Sequence, residues 1–142
     1  MRSPPPPEDN VRAARVMFDE FMRRESAETF LILDEQVSWD TRALGAPELR
    51  RVHLGHDEVR AFWRSWLAAW ERIEVIAGPH FRAHGNQVVT WWRQRDVGKG
   101  SGVGIEQDAA WLWTFQNGRV VHAAYFPGRE EAFHAAGLGP EG

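Results

Sequence analysis

The stretch FWRSWLAAW, residues 62–70, limits what this chain can fold into more than any other segment. At about 100° per residue, the large apolar residues in and around it fall on roughly one third of a helical wheel. These residues are Val59, Phe62, Trp63, Trp66, Trp70 and Ile73. The charged residues outside that arc are Arg60, Arg64, Glu71 and Arg72. We therefore predict an amphipathic helix, capped by Asp57, whose tryptophan face packs against a large apolar surface.

The part of the chain before this helix is also mainly helical in its spacing. A first helix follows the capping residues Glu8, Asp9 and Asn10. Ser26 can cap a second, shorter helix that extends to Leu33. A short strand is expected at residues 36–40, and residues 41–55 are expected to form a loop.

After the long helix, the apolar residues alternate with a period of two, which is typical of strands. The predicted strands are 74–84, 88–95, 105–115 and 120–126. Turns at residues 84–86 and at Asn117-Gly118 connect two pairs of them, and a glycine-rich loop at 98–104 connects the third. A last helix at 129–136 ends before Gly137. Helices followed by an antiparallel meander predict an α+β fold.

Composition excludes several classes of function. The formal net charge is -3, whereas a nucleic-acid partner requires a basic surface, so we expect no nucleic-acid binding. The chain has no cysteine, which excludes disulfides and thiolate metal sites. No apolar run is long enough to span a membrane, and the first residues lack the apolar core of a signal peptide. We expect a cytoplasmic protein with no membrane partner.

No cofactor or metal site is predicted either. The glycines of the 98–104 loop do not form GxGxxG and do not precede a helix, so a phosphate cradle is not expected. The pair His53 and His56 lies in the predicted loop, and the pair His80 and His84 lies in a predicted strand. Neither pair has the helical placement that would bring two imidazoles to one metal ion.

The strand at 105–115 offers two interpretations of its carboxylates. Trp111 and Trp113 share one face with Phe115, and Glu106 and Asp108 share the opposite face. A carboxylate that points into an apolar cavity would have a raised pKa and would suit general acid–base chemistry. Alternatively, the two carboxylates face solvent or pair with Arg93 and Arg95 on the neighbouring strand, which is the interpretation we favour.

Four segments together resemble a known family. They are VSWD at 37–40, LGHDEVRAFWRSWLAAW at 54–70, GSGVGIEQDAAWLWTFQNGRVVHAAYF at 100–126 and REEAFHAAGL at 129–138. They are similar to the first strand, the glycine-led helix, the terminal hairpin and the C-terminal tail of the nuclear transport factor 2-like superfamily, in its SnoaL-like branch. That branch includes polyketide cyclases.

The resemblance implies both a shape and a domain organisation. It implies a cone-shaped curved antiparallel sheet wrapped around N-terminal helices, with a pocket at the open end. The single domain would span residues 10–138, between a flexible proline-rich tail at 1–9 and a short tail at 139–142. The resemblance also implies a homodimer through the outer face of the sheet.

Related ketosteroid isomerases and SnoaL-like cyclases place acidic groups where this chain has aromatic ones. The matching positions are Trp39, Trp111 and Tyr125. The remaining candidate catalytic residues are Asp40, Asp108, His122 and Tyr125. The candidate ligand-binding residues are Trp39, Trp63, Trp66, Arg93, Trp111 and Trp113.

Three hypotheses follow from these residues. In the first, the chain is a metal-independent acid–base enzyme of the isomerase, cyclase or hydrolase type that acts on an apolar cyclic or polyketide-like substrate. Asp40 or Asp108 would then be the base, and Tyr125 or a tryptophan N–H would donate a hydrogen bond to a developing oxyanion. In the second, the chain is a non-catalytic binding or accessory protein for a small hydrophobic molecule. In the third, the aromatic residues fill the cone and leave no cavity.

Overall fold

The computed structural model describes residues 7–44, 50–98 and 104–138. The helices are α1 (Pro7–Arg23), α2 (Ala27–Ile32), α3 (Gly55–Ala69) and α4 (Arg129–Ala135). The strands are β1 (Leu33–Asp40), β2 (Val52–Leu54), β3 (Trp70–His84), β4 (Gln87–Gly98), β5 (Gly104–Gln116) and β6 (Arg119–Phe126). Most of the predicted N-terminal tail, the predicted tail at 139–142 and the centre of the glycine-rich loop lie outside the described residues.

One curved sheet contains the six strands, in the order β2-β1-β6-β5-β4-β3. Neighbouring strands are antiparallel except β1 and β6, which are parallel. The sheet is open, because β2 and β3 are its edges. We call the face that packs against α1 and α3 the inner face, and the opposite face the outer face. The predicted α+β cone is therefore confirmed, with one parallel pair in place of a wholly antiparallel sheet.

The hairpin between β5 and β6 forms as the sequence predicts. Asn117 and Gly118 have φ values of 54° and 79°. Two successive positive φ values match the tight turns whose twist suits a hairpin, and Asn-Gly is the pair that adopts them most readily. This turn, together with a register shift between Thr114 and Phe115, sets the register in which Trp113 pairs with Ala123 and Trp111 pairs with Tyr125.

The long helix α3 is shorter than its apolar stripe predicts. It ends at Ala69, and both Trp70 and Ile73 belong to β3. The guanidinium of Arg24 donates hydrogen bonds to the backbone oxygens of Leu67 at 3.1 Å and Trp70 at 2.5 Å, and so satisfies carbonyl groups at this end of the helix. This contact spans more than forty residues, so local periodicity does not reveal it. The helix also starts at Gly55 rather than at Asp57.

The start of α1 and the capping group of α2 differ from the prediction. The helix α1 begins at Pro7, so Glu8 and Asp9 lie in its first turn. Ser26 is at the N-cap of α2 but makes no capping hydrogen bond. The buried carboxylate of Glu20 replaces it, because it accepts hydrogen bonds from the backbone N–H groups of Glu28 at 3.0 Å and Thr29 at 2.6 Å. Burial raises the pKa of Glu20, but these hydrogen bonds outweigh burial and lower it.

Two strand boundaries were also predicted wrongly. Strand β1 starts at Leu33, which the prediction placed in the second helix. The predicted loop at 41–55 contains the short strand β2 and the start of α3. Leu33 is fully buried, so its burial alone does not distinguish a helix from a strand. Short apolar segments of this kind are ambiguous by periodicity.

The last helix, α4, covers part of the outer face. Ala132 and Phe133 pack against Val89, Ala110 and Leu112 of β4 and β5. Gly137 has a φ of 79° immediately after this helix, which is the conformation that commonly ends a helix and that glycine adopts without strain. The predicted C-terminal helix and its stop are therefore confirmed.

Candidate ligand site inside the cone

A cavity of about 50 Å³ lies between the inner face of the sheet and the helices α1 and α3. Six of the eight tryptophans contribute to its wall, and they are Trp39, Trp63, Trp66, Trp92, Trp111 and Trp113. The volume admits a few water molecules but is well below the roughly 150 Å³ of an apolar cavity that binds benzene. In this conformation the rings therefore come close to filling the cone, and a ligand ring enters only if side chains move.

The aromatic wall brings together the three positions at which related enzymes carry acidic groups. The ring centroids of Trp39 and Trp111 are 4.6 Å apart, and those of Trp111 and Tyr125 are 5.7 Å apart. Trp111 also stacks on Trp113 at 5.2 Å with an interplanar angle of 15°. The three positions that the resemblance implies therefore form one contiguous part of the cavity wall, where this chain has aromatic rings in place of acidic groups.

The indole N–H groups of this wall differ in how they are satisfied. Trp113 Nε1 donates to the hydroxyl of Thr90 at 3.2 Å. In contrast, the Nε1 atoms of Trp39 and Trp63 are buried and have no hydrogen-bond partner among the described residues. Leaving a buried donor unpaired costs about 1–3 kcal/mol. An acceptor oxygen that reached either atom would remove this cost.

A hydrogen-bonded chain of polar side chains forms one end of the cavity. Trp92 Nε1 donates to Gln94 Oε1 at 2.6 Å, and Gln94 Nε2 donates to Asp96 Oδ1 at 2.7 Å. Gln107 on β5 donates from its Nε2 to the other carboxylate oxygen of Asp96. Gln94 and Gln107 line the cavity, and Asp96 lies behind them with no exposed surface. Burial raises the pKa of Asp96, although the two amide hydrogen bonds offset part of the increase.

Asp96 is not among the residues that the sequence predicts for the site. The predicted strand ended at Arg95, so the alternation was not followed to the next position. Thr90, Trp92, Gln94 and Asp96 share the inner face of β4 at a period of two. The register places Gln94 opposite Gln107, so polar residues meet on an otherwise apolar face. Polar residues that continue an inward-facing period are a usable sign of such a network.

Tyr125 is the only one of the four candidate catalytic residues that lines the cavity. Burial raises its pKa to about 12, and the negative charges of Asp96, Asp108 and Glu131 add to the shift. The phenol therefore keeps its proton at neutral pH. Tyr125 can donate a hydrogen bond or a proton to a ligand, but it is unsuited to act as a base.

Asp108 and Arg93 lie on the outer face and face each other. Arg93 Nη1 donates to Asp108 Oδ1 at 3.0 Å, and Arg93 Nε lies 3.6 Å from Glu106 Oε1. The side chain of Asp108 is 60% exposed. The favoured interpretation, in which these carboxylates pair with a neighbouring arginine, is confirmed for Arg93. Asp108 and Arg93 are therefore not part of the cavity wall.

Asp40 and His122 are also on the outer face. Trp113 and Trp39 pair with Ala123 and point inward, so His122, the residue before Ala123, and Asp40, the residue after Trp39, point outward. Asp40 accepts two hydrogen bonds from the Arg42 guanidinium, at 3.0 and 2.8 Å. These bonds to Arg42 are the main reason that the pKa of Asp40 is lowered. Neither residue can reach a molecule in the cone.

The predicted site residues therefore separate into two groups. Tyr125 and the predicted tryptophans line the cavity, and these tryptophans are Trp39, Trp63, Trp66, Trp111 and Trp113. Asp40, Asp108, His122 and Arg93 are on the other side of the sheet. Among the described residues that line the cavity there is no carboxylate, histidine, lysine or arginine. If side chains move to admit an apolar ring, the arrangement can orient it through a few neutral hydrogen-bonding groups.

A second hollow, of about 500 Å³, lies on the outer face between β3, β4 and the segment that leads into α4. Its lining includes His80, Arg93, Asp108, Glu130 and Glu131. It is larger than the inner cavity, but it is a surface groove with charged and exposed walls. Enclosure by apolar walls with few polar anchors is typical of small-molecule sites, so the inner cavity is the better candidate.

The part of the chain that the structure describes has no group of three or more histidine, cysteine, aspartate or glutamate residues placed to hold a metal ion. None of its helices is both long and apolar enough to cross a membrane. The homodimer through the outer face, the cytoplasmic location and the lack of a nucleic-acid partner stay predictions.

The fold defines the class of protein. An open cone of curved sheet around N-terminal helices, with an internal cavity, is the nuclear transport factor 2-like architecture. Residues 14–123 match the SnoaL-like domain. The chain therefore belongs to the SnoaL-like family, within the nuclear transport factor 2-like superfamily.

Solved structures agree with this assignment. An NTF2-like protein from Burkholderia pseudomallei is 23% identical with a TM-score of 0.75, over 89% of this chain and 95% of that chain. A SnoaL-like polyketide cyclase from Jannaschia is similar at 18% identity and a TM-score of 0.73, over 89% and 90% of the two chains. TerC, co-crystallized with polyporic acid, is 19% identical with a TM-score of 0.73, over 89% and 96%. At these identities the likeness shows the fold alone, and no curated protein matches significantly.

Proposed function

We propose that the chain binds a flat, largely apolar ring compound of the polyketide-like kind inside the cone. The observation that carries the proposal is the pair of buried, unpaired indole N–H groups of Trp39 and Trp63 in the wall of an aromatic cavity. A carbonyl oxygen on the ligand would accept a hydrogen bond from one of them and remove the cost of leaving it unpaired.

Entry of the ligand requires ring movement, because the cavity volume is about 50 Å³. Phe21, Trp66, Trp111 and Tyr125 line the cavity and are only half-buried, so they can rotate with less loss of packing than the fully buried rings. The ligand then replaces the contacts that those rings give up. This exchange favours flat molecules that can stack on indole rings.

Isothermal titration calorimetry with 1-tetralone tests this proposal, because this flat bicyclic ketone combines an apolar ring with one carbonyl oxygen. Tetralin, the same skeleton without the oxygen, is the ligand control. We expect Trp66→Ala to weaken the binding of 1-tetralone about ten-fold, since it removes an indole ring that would stack on the bound molecule. Trp91→Ala should leave the affinity unchanged, because Trp91 is also half-buried but contacts His80 and Phe133 on the outer face. Absence of binding to the wild-type chain, or equal losses in the two variants, would contradict the proposal.

The second candidate is acid–base catalysis on the same kind of molecule. It is favoured by Tyr125, a protonated phenol in the cavity wall, and by Asp96, a carboxylate of raised pKa close behind that wall. It is disfavoured by the absence of a carboxylate among the described lining residues.

Exchange of the α-protons of 1-tetralone in D₂O, followed by NMR, separates catalysis from binding. If the wild-type chain makes the exchange faster than it is in buffer, and Asp96→Asn does not, acid–base catalysis is established. Binding without faster exchange would establish the binding function alone.

A further inference from the structure

The hydrogen bonds to Asp96 determine how the glutamine amide groups at the polar end of the cavity are oriented. The two oxygens of Asp96 each accept a hydrogen bond from a glutamine side chain, so Gln94 and Gln107 both turn their NH₂ groups towards Asp96. Their amide oxygens consequently point away from it. The oxygen of Gln94 is already used, because it accepts the indole N–H of Trp92 at 2.6 Å.

The oxygen of Gln107 is left as an acceptor at this end of the cavity. Gln107 lines the cavity and is only half-buried, and its Oε1 makes no hydrogen bond with the described residues. If Asp96 were absent, the amide of Gln107 could turn over and present its NH₂ group instead. The carboxylate of Asp96 therefore determines which kind of group a ligand must bring to Gln107.

We propose that Asp96 is a positioning residue that makes the cavity selective for ring compounds with a hydroxyl group that donates a hydrogen bond to Gln107 Oε1. This inference rests on the proposed ligand site and adds the class of ligand to it. Trp39 and Trp63 supply donors, and Gln107 supplies an acceptor. The matching ligand carries both a carbonyl oxygen and a hydroxyl group, as hydroxylated aromatic ketones do.

The test compares hydroxylated 1-tetralones with the methyl ethers of the same compounds in calorimetric titrations. A methyl ether keeps the shape and the oxygen but cannot donate. We expect the wild-type chain to bind at least one hydroxyl compound about ten-fold more tightly than its methyl ether. Equal affinities for every pair would overturn the inference while leaving the proposed function intact. If 1-tetralone and all its derivatives fail to bind, the proposed function itself is wrong.

Two variants test whether the selectivity depends on the hydrogen bond between Asp96 and Gln107. In Asp96→Asn the affinity for the hydroxyl compound divided by the affinity for its methyl ether should fall to about one, because the amide of Gln107 is free to turn. Gln107→Leu should also abolish the preference, and it leaves the buried carboxylate in place if Asp96→Asn does not fold. The ratio of two affinities is insensitive to a general loss of folded protein, so it separates positioning from a purely structural role.

The matched control is Glu106→Gln, which makes the same change from carboxylate to amide on the outer face of β5, where Glu106 lies close to Arg93. It should keep the full preference for the hydroxyl compound. Retention of the preference in both Asp96→Asn and Gln107→Leu would overturn the inference, as would its loss in Glu106→Gln.

Discussion

The inner and outer faces of β4 and β5 use the same types of residue for different purposes. Asp96 on the inner face has no exposed surface, and two glutamine amides hold it. Asp108 on the outer face is 60% exposed and pairs with Arg93. Burial raises the pKa of Asp96, whereas an exposed ion pair has little effect on stability. The face of the strand on which a carboxylate lies thus decides whether it is buried behind the cavity or belongs to the solvated surface.

The largest expected difference between the two faces is in how much stability is lost when a tryptophan is replaced by alanine. Trp39 is 2% exposed and contacts the rings of Phe62, Trp63, Trp111 and Trp113. We expect Trp39→Ala to lower the free energy of unfolding by about 3–5 kcal/mol because it leaves a large hole in the core.

The half-buried Trp91 on the outer face is the comparison. Trp91→Ala should cost about half as much as Trp39→Ala, since solvent already reaches part of the ring. Urea denaturation of both variants measures the difference. Equal losses would show that the two faces do not differ in packing as described.

A smaller difference is expected between the two aspartates. Asp96→Ala should lower the free energy of unfolding by about 2 kcal/mol, because it leaves two amide donors without their acceptor. Asp108→Ala should change it by less than about 0.5 kcal/mol, since the ion pair with Arg93 is exposed. Urea denaturation again provides the measurement. A more stable Asp96→Ala variant would mean that the cost of burying the carboxylate exceeds the gain from its hydrogen bonds.

The smallest expected effect is in the pH dependence of stability, where Asp96 and Asp40 should behave oppositely. The pKa of Asp96 is raised from 3.8 by burial, so its contribution to stability is full below that value and is lost as pH rises through the folded-state pKa. The pKa of Asp40 is lowered from 3.8, mainly by hydrogen bonds from Arg42, so its contribution is present above that value and is lost as pH falls.

Urea denaturation of Asp96→Asn and Asp40→Asn from about pH 3 to about pH 7 measures both contributions. The wild type should lose stability relative to Asp96→Asn as pH rises, and gain stability relative to Asp40→Asn. The same sign for both variants would contradict the placement of Asp96 in a desolvated environment.

The sequence predicted the features that depend on local pattern. The alternation of Trp111 and Trp113, the Asn117-Gly118 turn and the apolar face of α3 are each encoded within a few residues. Contacts between distant segments could not be predicted in this way. The end of α3 depends on Arg24, so this boundary was misplaced, and the group that caps α2 is the carboxylate of Glu20 and not the predicted Ser26.

The candidate site was predicted for its rings, including that of Tyr125, but not for its amide and carboxylate groups. Large aromatic residues on an inward period identify a wall directly, and five predicted tryptophans line the cavity. Asp40, Asp108 and His122 were the polar candidates that remained once the matching positions proved to be aromatic, and all three point outward because of where they fall in the strand period. Gln94 and Gln107 carry no charge and were not predicted as site residues, although the register pairs them across the sheet.

A crystal structure of the chain with a bound hydroxylated 1-tetralone tests the central claim most directly. The account predicts that the ring lies against Trp39, Trp111 and Tyr125, with its hydroxyl oxygen about 3 Å from Gln107 Oε1. It also predicts that the ketone oxygen accepts a hydrogen bond from the indole N–H of Trp39 or Trp63. A ligand bound in the outer groove beside Arg93 and Asp108, with the inner cavity still closed, would contradict the account.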